Sequence, residues 1–90
     1  MPTIRIPTPI RPYVNGEKVV NVKGQNAAEA VESLLIQFPA LRTHLVNGRG
    51  ELRPFVNFFL GENNIRDLQG LDTPLREGDQ LILIPSIAGG

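Results

Sequence analysis

The residues best placed to do chemistry are the last four, Ile87-Ala88-Gly89-Gly90, and the group they offer is the main chain itself. They carry no charge and follow an apolar run, Leu81-Ile82-Leu83-Ile84, through Pro85 and Ser86. Without Cβ atoms, Gly89 and Gly90 reach backbone angles closed to other residues and fit a channel too narrow for side chains. This pattern points to the carboxylate of Gly90 as the reacting group, with Ile87, Ala88 and Gly89 as the part a partner's channel would hold.

The side chains offer less. There is no cysteine, so disulfides, thiolate catalysis and zinc–thiolate sites are excluded. The single His44 has no second histidine with which to build a metal site, and it reads as a surface residue near a helix end. Asp79, after Gly78, reads as a turn residue that sets up the last strand rather than as an acid or base. Asp72 and Glu77 read the same way. The chain therefore reads as a non-enzyme. Nine basic and nine acidic residues cancel, and Arg5, Arg11, Lys18, Lys23, Arg42, Arg49, Arg53, Arg66 and Arg76 form no run. That disfavours nucleic acid as a partner; Arg11, Arg66 and Arg76 could pair with acidic residues of a partner, but each individually reads as a solvated surface arginine. No stretch approaches the ~20 apolar residues of a membrane span, and no secretory signal opens the chain. The cytoplasm is the expected location, with no membrane partner.

These groups need a scaffold, and 90 residues supply one small domain. Thr3-Ile4-Arg5-Ile6 alternates as a half-buried strand does. Pro7, Pro9 and Pro12 predict an edge or loop after it. Asn15-Gly16 predicts a hairpin turn into a return strand over 17–23. Asn26 with Glu29 forms a capping-box pattern, and Ala27, Val31, Leu34, Leu35 and Phe38 form one apolar helical stripe that Pro39 ends. A short helical turn over 40–45 and a loop at 47–50 follow. A third strand is predicted over 55–60, a short return at Ile65-Arg66, a helical turn at Thr73-Pro74, and a last strand over 80–84. The order is ββ, α, β, β, β: an α+β, β-grasp (ubiquitin-like) domain over 1–85, with about five strands in a mixed sheet and one main helix on one face. Residues 86–90 are expected to form a flexible tail.

The helix can cover only one sheet face. If Leu81 and Leu83 point to it, Ile82 and Ile84 point away, and likewise Phe55, Asn57 and Phe59 oppose Val56, Phe58 and Leu60. Phe59, Ile82 and Ile84 are then an apolar patch beside the tail and the candidate docking face for a partner. Coverage by the 46–54 loop or by a second copy is the alternative.

From Leu75 to Gly90 the chain reads leucine, Gly78-Asp79 turn, apolar strand, proline and terminal Gly-Gly. It resembles the ubiquitin-like sulfur carrier proteins (the MoaD/ThiS family) over essentially its full length. The Thr3–Pro12 opening and the Arg53-Pro54-Phe55 approach look closest to the carriers of cysteine biosynthesis (CysO-type). Gly61 stands where relatives often carry Asn.

The resemblance implies that an E1-like adenylating enzyme uses ATP to activate Gly90, the carrier itself binding no cofactor. A sulfur nucleophile then displaces AMP and leaves a C-terminal thiocarboxylate. It implies a sulfur-acceptor enzyme as well. In the cysteine branch this is a pyridoxal-phosphate cysteine synthase-like enzyme bearing an aminoacrylate, with a metallopeptidase that frees the new cysteine. In the molybdopterin branch it is the molybdopterin synthase large subunit. A protein modifier that joins Gly90 to lysines uses the same activated end.

Overall fold

The computed structural model describes residues 1–85. Within it, strands β1 (Thr3–Arg5), β2 (Val19–Asn21), β3 (Val56–Leu60), β4 (Asn63–Asn64) and β5 (Gln80–Pro85) form one mixed sheet in the order β2-β1-β5-β3-β4. The main helix α1 (Ala27–Gln37) packs on one face, followed by a short α2 (Arg42–Leu45). β1 and β5 are parallel at the centre, and the β1–β2, β3–β4 and β3–β5 pairs are antiparallel. This is the β-grasp architecture expected from the element order.

Helix α1 starts where Asn26 Oδ1 accepts from Glu29 N–H at 2.9 Å, satisfying one of the donors that a helix start leaves free. The reciprocal half of the box is displaced by one residue, since Glu29 Oε1 accepts from Gln25 N–H at 2.8 Å. Ala27, Ala30, Val31, Leu34 and Leu35 are buried against the sheet, and Phe38 caps the C-terminus ahead of Pro39. The facing sheet residues are Ile4, Val20, Val56, Phe58, Leu81 and Leu83, all buried. The alternating face assignment therefore holds.

Local departures from the expected elements have local causes. The proline-rich stretch is not a frayed edge but a 3-10 helix over Thr8–Val14. Proline's fixed φ suits such a turn, and at its start the missing N–H is no loss. Asn15 and Gly16 do take positive φ, 58° and 79°. They close that helix, with Gly16 N–H donating to Arg11 O at 2.8 Å, rather than joining β1 to β2 directly. The return strand after β3 is Asn63–Asn64, not Ile65-Arg66. Asn64 Oδ1 accepts from Arg66 N–H at 3.0 Å and turns Ile65–Asp67 into a 3-10 helix. The turn expected at Thr73-Pro74 lies at Gly70–Asp72, and Pro74 instead bridges Asn26.

Candidate functional site: the open sheet face and the end of β5

The register places the candidate docking residues side by side. Phe59 lies directly across from Ile82, and Ile84 across from Asn57. Phe59 and Ile82 are half-buried among their neighbours, while Ile84 is 43% exposed. Phe55, 38% exposed, precedes Val56, whose partner across the sheet is Pro85. Phe55 was not among the expected docking residues, yet it stands beside the point where the chain leaves the sheet. The 46–54 segment does not cover this face. Val46 and Leu52 bridge and line a cavity together with Val31 and Leu35 of α1, on the helix side.

The start of β3 is held by an arrangement with no signature in the sequence. Val56 N–H donates to Arg53 O at 3.0 Å, and Val56 O accepts from Arg66 Nη2 at 2.7 Å. Both main-chain groups of Val56 are thus satisfied away from β5, so its pairing with Pro85 requires no N–H from the proline. The same Arg66 nitrogen reaches Arg53 O at 2.9 Å, and Arg53 Nε donates to Thr43 O at 2.8 Å. Arg66 is exposed, as read from the sequence, and its guanidinium also staples the turn carrying Phe55. β4 is only two residues long, and Arg66, just beyond it, supplies a donor where a longer strand would have paired.

The remaining candidates fall where a structural role predicts. The Asp79 carboxylate accepts from Arg76 N–H at 2.7 Å, and Asp79 N–H returns a bond to Arg76 O at 3.0 Å. With Gly78 at φ 83°, this is the turn that launches β5. His44 is exposed and lies against the Tyr13 ring, centroids 4.5 Å apart. Among the described residues no group of three or more His, Asp or Glu could hold a metal, and no helix is long and apolar enough to cross a membrane. Ile87, Ala88, Gly89 and Gly90 lie outside the described residues. What the structure provides is therefore a half-apolar sheet face that ends at the root of the segment carrying them.

The ThiS family model matches residues 4–90. The chain belongs to the ThiS family. It is 30% identical to the sulfur carrier protein CysO of Mycobacterium tuberculosis over 90 residues, covering 98% of this chain and 97% of that one. In three dimensions this ThiS-family chain is similar to one in the crystal structure of the Amycolatopsis orientalis BexX/CysO complex. The TM-score is 0.89 at 30% identity, and the whole of both chains is covered. It is also similar to small archaeal modifier protein 1 of Methanosarcina acetivorans, with a TM-score of 0.84 at 25% identity over 99% of this chain and 95% of that one.

Proposed function

We propose that this chain is a sulfur carrier whose C-terminal carboxylate, on Gly90, is the working group. The observation that carries the reading is the join at Pro85. The apolar face of β3 and β5 runs straight into an uncharged segment ending in Gly-Gly, on a chain that belongs to the ThiS family.

A carboxylate resists nucleophiles because oxide is a poor leaving group. Attack of a Gly90 oxygen on the α-phosphorus of ATP forms an acyl adenylate and releases pyrophosphate. A sulfide-level nucleophile delivered by the activating enzyme then forms the C–S bond as the C–O bond to AMP breaks. The product is a thiocarboxylate with AMP as the leaving group. The carrier contributes no catalytic side chain; the face of Phe59, Ile82 and Ile84 docks on the enzyme, and Ile87 to Gly89 occupy its channel. Five extended residues span at most ~17 Å, so residues 86–90, as a mobile tether, bring Gly90 to a buried site while the sheet face stays outside. Lacking cysteine, the chain has no thiol of its own to intercept the adenylate.

Cysteine biosynthesis is the favoured destination of the sulfur, supported by the likeness to CysO along nearly the whole of both chains. The acceptor is then a cysteine synthase-like enzyme and a metallopeptidase releases the product. Molybdopterin synthase is the alternative acceptor. The likeness to an archaeal modifier protein supports a second reading, in which lysines take the place of sulfur as the nucleophile. The test is pyrophosphate release with ATP and the E1-like enzyme of the same genome. Release is expected from the full chain and none from a chain lacking Gly90. Equal release from both chains contradicts the proposal.

A further inference from the structure

β1 and β5 run parallel and β3 antiparallel to β5, so one end of the sheet gathers the finish of β1 and β5 with the start of β2 and β3. Cations scattered along the sequence meet there. Arg5 closes β1 and pairs in register with Ile82. Lys18 immediately precedes β2, and its carbonyl accepts from Ile6 N–H at 2.8 Å. Arg11 Nε donates to Ile6 O at 3.0 Å. On the other side of β5 stand Arg53 and Arg66, joined through the Arg53 carbonyl. Five of the nine basic residues thus lie on segments that meet at the end of the sheet where the chain continues past Pro85.

Glu17 and Asp67 adjoin this collar in sequence, but neither pairs with it. The ion pairs among the described residues, Glu32 with Arg42 and the Met1 amino group with Glu77, lie elsewhere. The opposite end of the sheet is balanced: Asp79 and Glu77 precede β5 and Glu62 lies in the turn after β3, while Arg76, Lys23 just past β2 and the Met1 amino group paired with Glu77 supply as many cations. A net charge of zero therefore conceals a local excess of basic residues at the end where the chain continues past Pro85.

We propose that the collar of Arg5, Arg11, Lys18, Arg53 and Arg66 is the electrostatic half of the docking surface, and that it fits a protein bearing acidic side chains around the mouth of a channel. This rests on the reading that the chain's end enters an activating enzyme. A protein suits the surface better than nucleic acid because the same end of the sheet carries the half-apolar face of Phe55, Phe59, Ile82 and Ile84, with Arg5 in register beside Ile82, and the domain has no net positive charge. Charges at such a rim act mainly on the encounter rate and on orientation, and are screened by salt.

Arg5 and Lys18 are the residues to change, since both are exposed and neither side chain makes a hydrogen bond among the described residues. In pyrophosphate release with the same genome's E1-like enzyme, Arg5→Glu with Lys18→Glu is expected to raise KM for the carrier roughly 10-fold, leave kcat unchanged and remove its dependence on salt. Arg76→Glu, at the other end, is expected to stay within about twofold of the parent chain. Equal KM for the two variants, or a loss confined to kcat, overturns the proposal.

A second arm needs no enzyme. An oligoglutamate peptide titrated into isotope-labelled full chain is expected to move the amide signals of the five collar residues, reversibly with salt. Shifts spread evenly over the molecule, or tighter binding of a single-stranded oligonucleotide of matched charge, overturn the collar. If the parent chain releases no pyrophosphate, the functional reading fails while the peptide titration still decides the surface.

Discussion

A Cβ added to Gly24 would lie 2.7 Å from both Ala30 N and Glu29 Cβ, at a backbone φ of 152° that side chains rarely adopt. The absent side chain lets the strand-to-helix connection pass directly against the first turn of α1. Gly24→Ala is therefore expected to cost about 2 kcal/mol or more in urea unfolding, and an unchanged midpoint would show that the connection can move aside. Nothing in the sequence marks this glycine, because its neighbours in contact are set by tertiary approach. Gly89 and Gly90 are the opposite case. Their place after an apolar strand and a proline is legible without any structure, and they lie outside the described residues. Extending the chain by one residue after Gly90, or deleting Gly90, is expected to abolish adenylation while leaving the unfolding midpoint in place. Arg66 lies between these extremes: its type suggested a solvated charge, and only the shortness of β4 makes it a staple for Val56.

Each face of β5 has its own expected response to mutation, because side chains alternate across a strand. Leu83 and Leu34 are buried at 1% and 0% exposure, and truncating either to alanine is expected to cost roughly 2–5 kcal/mol of stability through the cavity left behind. Phe59 and Ile82 pair on the other face. Phe59→Ala or Ile82→Glu is expected to leave the fold in place and weaken the complex with the activating or acceptor enzyme by ~2 kcal/mol or more. Unfolding of Ile82→Glu, followed by circular dichroism, would contradict that division of the sheet. Asn26→Ala is expected to lose about 1 kcal/mol as the first turn of α1 loses its cap.

The main helix and the longer strands were readable because Thr3–Ile6 alternates, Ala27–Phe38 repeats with a period of 3.6, and Leu81–Ile84 is an apolar run between the Gly78-Asp79 turn and Pro85, whereas the two-residue β4 was too short to place. The 3-10 turns at Thr8–Val14, Ile65–Asp67 and Gly70–Asp72 were not. One or two turns give no period to detect, and their starts depend on single contacts such as Asn64 Oδ1 with Arg66 N–H.

At the scale of the whole molecule, docking and delivery are separate tasks. In the function proposed above, the sheet face and its basic collar hold the partner, and Gly90 is the group delivered. Gly89→Ala is accordingly expected to lower the rate of sulfur transfer more than it weakens binding, since a methyl group obstructs a channel but not the face outside it. Backbone relaxation of the free chain is expected to show greater motion over 86–90 than over β5, and equal rigidity would contradict a tether. The basic collar could not be read from a list of scattered arginines, because it arises only when parallel β1 and β5 bring distant residues to one end. The central claim is that Gly90 carries sulfur, and intact-mass measurement tests it most directly. After incubation with ATP, a sulfide donor and the E1-like enzyme, the chain is expected to gain the mass of one sulfur in exchange for one oxygen, on its C-terminal fragment alone. An unchanged mass after ATP has been consumed, or a gain located on any other fragment, would contradict the account.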